Sequence, residues 1–147
     1  MRRLAGAVFL VALVLCVASV AHAKGTVRVQ KSDGSTEVYQ NVTLRIVDQT
    51  LQITTEDGKG TLIVKRAACS YQGEIMVCLP YELALVQGGQ EQPLDFSRGT
   101  LYYNSTGTKQ QMSLSSTQLP PNGVIGLLIT KKGTLIAING VIDGHTK

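Results

Sequence analysis

From Lys24 onward the chain repeats one pattern: apolar and polar residues alternate, a turn rich in glycine interrupts them, and the alternation resumes. A period of two puts every second side chain on one face of a strand, whereas a helix needs its apolar positions three and four apart. No segment sustains the helical spacing. The nearest approach, 81–87 after Pro80, is too short for a helix and reads as a strand. Repeated to the C-terminus, the pattern predicts about ten short strands in one all-β domain over 24–147, an antiparallel β-sandwich or a partly open barrel.

Three turns fix a strand register from the residues alone. Asp33-Gly34 is a two-residue type I′ signal that pairs Val29 with Val38. Asp57-Gly58 is another, pairing Ile53 with Leu62 and Leu51 with Val64. Asp48-Gln49 is a weaker turn that pairs Ile46 with Leu51 and Leu44 with Ile53. The last two agree on an apolar face: Val42, Leu44 and Ile46 meet Leu51 and Ile53, which meet Leu62 and Val64. A slip of one residue would turn that whole set toward water, so the agreement supports the register.

The second half is less regular. Residues 99–104 and 109–115 read as strands around Ser105-Thr106-Gly107, 87–93 as a polar loop, and 115–123 with Pro120-Pro121 as a crossing between sheets. The apolar runs 124–130 and 135–138 form a central hairpin around Lys131-Lys132-Gly133, a three-residue loop with glycine in the left-handed position. Asn139-Gly140 then reads as a turn into a short last strand at Val141-Ile142. Lys59-Gly60-Thr61-Leu62-Ile63 is echoed by Lys132-Gly133-Thr134-Leu135-Ile136, which reflects the recurring use of a turn glycine before a strand-forming threonine.

The first 23 residues carry a different message. Arg2-Arg3, an apolar run over 7–17 and Ala21-His22-Ala23 have the layout of a signal peptide cleaved before Lys24. The expectation is a periplasmic or secreted protein with no stable membrane anchor once the leader is removed. Arg2 and Arg3 leave with it, so 12 basic residues face 10 acidic ones in the mature chain, too even a balance to point to nucleic acid.

Export gives Cys69 and Cys78 the meaning of a structural disulfide. With Gly73-Glu74 as a type II′ turn, Gln72 pairs with Ile75, Tyr71 with Met76, Ser70 with Val77 and Cys69 with Cys78. Counting outward, the cysteines fall on a non-hydrogen-bonded site, where Cα atoms approach closely enough for a bridge. Loop-closure entropy for so short a loop gives about 2.7 kcal/mol.

Catalytic groups are scarce. His145 is the one histidine after the leader, which excludes multi-histidine metal sites and leaves no base for a serine or cysteine nucleophile. Gly58-Lys59-Gly60-Thr61 lacks the upstream glycine and the following helix of a phosphate loop. A carboxylate-dependent hydrolase would have to be built from Glu37, Glu82 and Asp95, the acids on or beside strands. Tyr102 and Tyr103 are adjacent, hence on opposite faces of one strand, and mark a binding surface if one of them is displayed. Asn41 and Asn104 open N-glycosylation triplets.

These features together predict a non-catalytic exported module, without metal or organic cofactor, whose partner is a protein or an envelope or surface polymer met at open strand edges. The alternative is a carrier of a small ligand or lipid, with the 124–138 hairpin lining an apolar cavity; the hydrolase ranks third. In protein recovered after secretion, Cys69 and Cys78 are expected to resist an alkylating reagent until reduced, and reduction should lower stability by at most about 2.7 kcal/mol in a denaturant titration.

Overall fold

The computed structural model describes residues 24–112 and 117–142. His145 and residues 113–115 of the strand expected over 109–115 lie outside them. The described strands are β1 (Lys24–Gln30), β2 (Thr36–Val47), β3 (Thr50–Thr54), β4 (Gly60–Gln72), β5 (Ile75–Gln87), β6 (Gln90–Pro93), β7 (Phe96–Asn104), β8 (Gln110–Gln111), β9 (Gln118–Leu119), β10 (Gly123–Thr130) and β11 (Leu135–Val141). Eight of them pair antiparallel in the order β4-β3-β2-β1-β11-β10-β7-β5, and β5 pairs back with β4 to close a barrel, while β8 and β9 pair only with each other. β6 is an extra strand on β5. The fold is all-β and antiparallel as expected, and of the two architectures considered it is a barrel, closed rather than partly open, and not a sandwich.

The meander β2–β4 has the derived register, with Ile46 opposite Leu51, Leu44 opposite Ile53, and Ile53 opposite Leu62. Its apolar set turns inward: Val42, Leu44, Ile53, Leu62 and Val64 are buried with Leu83, Leu101, Val124, Leu128, Ile136 and Ile138 in a single core. An eight-stranded barrel is about wide enough for such side chains to fill. Asp48 and Gln49 both have positive φ, 51° and 68°, so the turn with the weakest sequence signal is a two-residue turn with both central residues left-handed, as type I′ requires.

Elsewhere the turn chemistry departs from the expectation. Asp33 accepts hydrogen bonds from the Ser35 N–H and hydroxyl, and the Lys31 N–H donates to the Ser35 carbonyl. The loop therefore has three residues, only Gly34 is left-handed, and Val29 pairs with Glu37 rather than Val38. The Ser35 bonds also hold the Asp33 carboxyl below its ordinary pKa. A bulge at Gln40-Asn41 restores the frame, since two residues of β2 oppose one of β1 and Gly25 returns opposite Val42. Asn41 takes the left-handed conformation there, φ 59°.

Three readings of the second half are corrected. Gly88-Gly89, with φ 60° and 80°, make a tight hairpin turn, so 87–93 is not a loop but the end of β5 and all of β6. Gln110-Gln111 pair with Gln118-Leu119, not with β7, and Pro120-Pro121 lead straight into β10 without crossing between sheets. Asn139-Gly140 does not turn. β11 runs through it because a Cβ on Gly140 would lie 2.8 Å from the Gly25 Cα and 2.9 Å from a Leu44 methyl, so glycine lets β1 and β11 close over Leu44. The Lys131-Lys132-Gly133 loop is as expected, with Gly133 at φ 89°.

Closure removes most of the edges on which partner binding was expected. Pro80 shapes what is left. It sits opposite Ala67 at a non-hydrogen-bonded site of the β4–β5 ladder, so its nitrogen faces β7, where it has no hydrogen to donate. The β5–β7 ladder stops at Cys78–Leu101, and β6 takes the remaining side of β5. Past Val64, no described strand flanks β4 on its other side.

Gly99 and Gly126 face the barrel interior, and Leu128 and Leu101 occupy the space their Cβ atoms would need. An alanine Cβ at Gly99 would lie 2.7 Å from the Leu127 carbonyl and 2.6 Å from a Leu128 methyl. Gly99→Ala is expected to cost about 1–3 kcal/mol by urea unfolding. Gly107→Ala, with nothing within 4 Å of the new methyl, should stay within about 0.5 kcal/mol of the parent.

Candidate binding surfaces on the two faces of strand β7

Tyr102 and Tyr103 leave β7 in opposite directions, and each lines a different cavity. The outer one is built by register. On β10, Ile125, Leu127 and Ile129 point away from the core. Across β7 they face Tyr102, Thr100 and Arg98, and across β11 they face Asn139, Ala137 and Leu135. One strand further, Thr26 stands opposite Asn139 and Arg28 opposite Ala137. An outward barrel face meets water and is ordinarily polar, so an aliphatic row down its middle is the anomaly.

The row lies in a groove of about 940 Å³. Short Thr100 and Ala137 flank Leu127, which is 47% exposed. The glycine backbones of Gly99 and Gly126 line the groove as well, seated close to the core because neither carries an inward side chain. Arg28 and Arg98 line it too, and neither has an ion-pair partner among the described residues. The groove is apolar with two unneutralised cations at its sides. Strand alternation alone puts Tyr102 and Tyr103 on opposite faces without saying which one lines a groove. The arginines and the concavity emerge only from the register across four strands.

On the inner face, Tyr103 shares a row with Tyr71, Met76 and Val124 near the barrel end that carries the turns at 48–49 and 73–74. The expected disulfide is part of this wall. Cys69 and Cys78 are bridged, with Cα atoms 4.1 Å apart as a non-hydrogen-bonded pair allows, and all four derived hairpin pairs are present. Gly73 has φ 63°, as the first central residue of a type II′ turn needs. Ile46, Leu51, Val64, the cysteines, Leu101 and Tyr103 surround a cavity of about 440 Å³. The Tyr103 hydroxyl is buried without a hydrogen-bond partner, and burial, with Tyr71 adding a smaller effect, raises its pKa above the ordinary phenol value.

A cavity of about 390 Å³ occupies the opposite end of the barrel and differs in its polar groups. There the Tyr39 hydroxyl donates to Glu37 at 3.1 Å, and Lys31 stands 3.9 Å from the same carboxylate.

The three carboxylates considered for hydrolysis are not assembled into one site. Glu37 is held by Lys31, Glu82 by Arg66 at 3.1 Å and Asp95 by Lys131 at 3.8 Å, each exposed and with a cation of its own. The two glycosylation triplets also part company. Asn41 is exposed, whereas Asn104 is 0% exposed and ties down the excursion between β7 and β10. Its amide hydrogens serve the carbonyls of Thr108 (2.8 Å), Leu119 (3.0 Å) and Pro120 (3.0 Å). Its oxygen accepts from the Thr106 N–H (3.0 Å) and hydroxyl (2.6 Å), so a glycan on Asn104 is incompatible with this packing. Asn104→Ala is expected to cost about 2–3 kcal/mol in a urea titration, because it strands several buried groups at once.

No protein-family model matches the chain, and no curated protein is similar to it in sequence.

Proposed function

We propose that the mature chain is a non-catalytic module of the periplasm or the extracellular space that binds a protein partner along the outer groove. The observation that carries this reading is the row Ile125, Leu127, Ile129 on the water-facing side of the wall, framed by Arg28 and Arg98. Side chains on alternate residues of a strand stand about 6.8 Å apart, and an extended segment of a partner has the same repeat. Its apolar side chains fit between Thr100 and Ala137 over Leu127, and its carboxylates fit the two arginines, whose charge has no answer within the described chain. A sugar polymer suits the groove less well. Sugar recognition relies on exposed aromatic rings, and Tyr102 is the one aromatic side chain lining it. The export layout of residues 1–23 and the Cys69–Cys78 bridge support the compartment.

The test uses two synthetic extended peptides, one alternating leucine with glutamate and one alternating leucine with lysine, titrated by fluorescence polarisation. The acidic peptide is expected to bind, and more weakly as salt rises. Leu127→Glu should weaken it at least tenfold, about 1.4 kcal/mol, while leaving unfolding within about 0.5 kcal/mol of the parent because the side chain lies outside the core. Arg28→Glu with Arg98→Glu should transfer preference to the basic peptide. Equal affinity for both peptides, or indifference to Leu127→Glu, overturns the reading.

A further inference from the structure

The inner cavity is a separate matter from the groove, with different residues on the other side of the wall. We propose that it is a binding site for a small neutral molecule with an apolar body and one hydrogen-bonding group, which the Tyr103 hydroxyl engages. Three observations converge on this. The lining is mainly apolar, with Ile46, Leu51, Val64, Leu101, Val124 and the disulfide, and Gln49 and Lys65 add polar groups to it. A volume of about 440 Å³ is within the range of small-ligand sites. And the Tyr103 oxygen is the one buried side-chain polar atom among the described residues that lacks a partner.

Buried hydroxyls in native proteins are nearly always satisfied, and an orphan calls for a partner from outside the chain. The far end of the barrel differs, since Tyr39 there has the Glu37 carboxylate. Among the described residues nothing charged plays that role for Tyr103. Lys65, which borders the cavity, is bound to Glu91 at 2.6 Å, and that contact raises its pKa, so the ammonium is occupied outside. A ligand with a full charge would therefore enter an apolar chamber with no counter-ion, which selects neutral molecules. In the described structure the Tyr103 oxygen is closed to water. Binding therefore needs a neighbouring side chain to move, and Met76, which lines the cavity directly opposite Tyr103 in the register, is flexible enough to do so.

The experiment titrates the protein with 2-naphthol and with naphthalene, one body with and without the hydroxyl, following naphthol fluorescence and, for both, the shift of the protein's unfolding midpoint. Wild type is expected to bind 2-naphthol about tenfold more tightly than naphthalene. Tyr103→Phe should abolish that difference while binding naphthalene as before, and without ligand it should unfold no earlier than wild type, having lost an unsatisfied group. Ile46→Trp, at a rim position 42% exposed and so tolerant of change, should block both probes. Failure of wild type to bind 2-naphthol, a preference that survives Tyr103→Phe, or unimpeded binding by Ile46→Trp each overturns the proposal. None of these results bears on the peptide titrations, because Leu127, Arg28 and Arg98 lie outside the chamber.

Discussion

The ladder between β4 and β5 is the contact on which the rest of the molecule depends. It joins the two ends of the sheet, from Gly60 opposite Gln87 to Gln72 opposite Ile75. Without it the chain would be an open sheet with one apolar face and two bare edges. With it, every strand acquires an inside and an outside, and the side chains derived as one apolar face become a closed core. The disulfide staples the far part of this ladder, where β3 no longer supports β4 and the hairpin stands on pairing with β5 and, through β5, with β7. Its place explains why so short a loop is bridged: the closing contact is reinforced where β4 has lost its other neighbour.

Legibility in the sequence followed a physical rule. Where two hairpins shared a strand, as in β2–β3–β4, each constrained the other and the register was derivable, because an error in either would have turned valines and leucines to water. The Cys69–Cys78 hairpin was legible for the same reason, a covalent requirement checking a turn requirement. Where one turn stood alone, nothing checked the reading, and it held at Lys131-Lys132-Gly133 but failed at Asp33-Gly34. Asp33-Gly34 has the residues of a two-residue turn, yet Asp33 closes a three-residue loop by capping Ser35, and the bulge at Asn41 that compensates carries no clear mark in the sequence. Glycine was the other source of error. Gly60 and Gly133 look alike in their sequence surroundings, but Gly133 is a left-handed loop residue and Gly60 pairs with Gln87 in an extended strand. Gly140 resembles a turn and is a point of strand contact.

The candidate sites show the same limit. That Tyr102 and Tyr103 part company follows from strand alternation by itself. What surrounds each does not follow, since the groove is assembled from β1, β7, β10 and β11, which the sequence separates by up to a hundred residues or so. Its concavity depends on Gly99 and Gly126, whose missing side chains let Leu128 and Leu101 fill the interior. In sequence those glycines are only members of the strands read over 99–104 and 124–130, with no mark of the close approach they permit. Likewise, the apolar run over 124–130 placed its hairpin centrally without distinguishing its two faces. In the structure one side is core, and the other is the row that faces out.

One wall thus serves two environments, and the division of labour between its faces limits what either can bind. Leu128, Ile136 and Ile138 fill the middle of the barrel, so an internal ligand has only the barrel ends, and the end at Tyr103 is the one with an unanswered polar group. The outer face has no such ceiling on length, because a groove open along the strands accepts a chain of any extent. A small neutral molecule inside and an extended acidic segment outside are different answers to one geometric fact: the filled core separates the spaces on either side of β7, and Tyr102 and Tyr103 each face one of them.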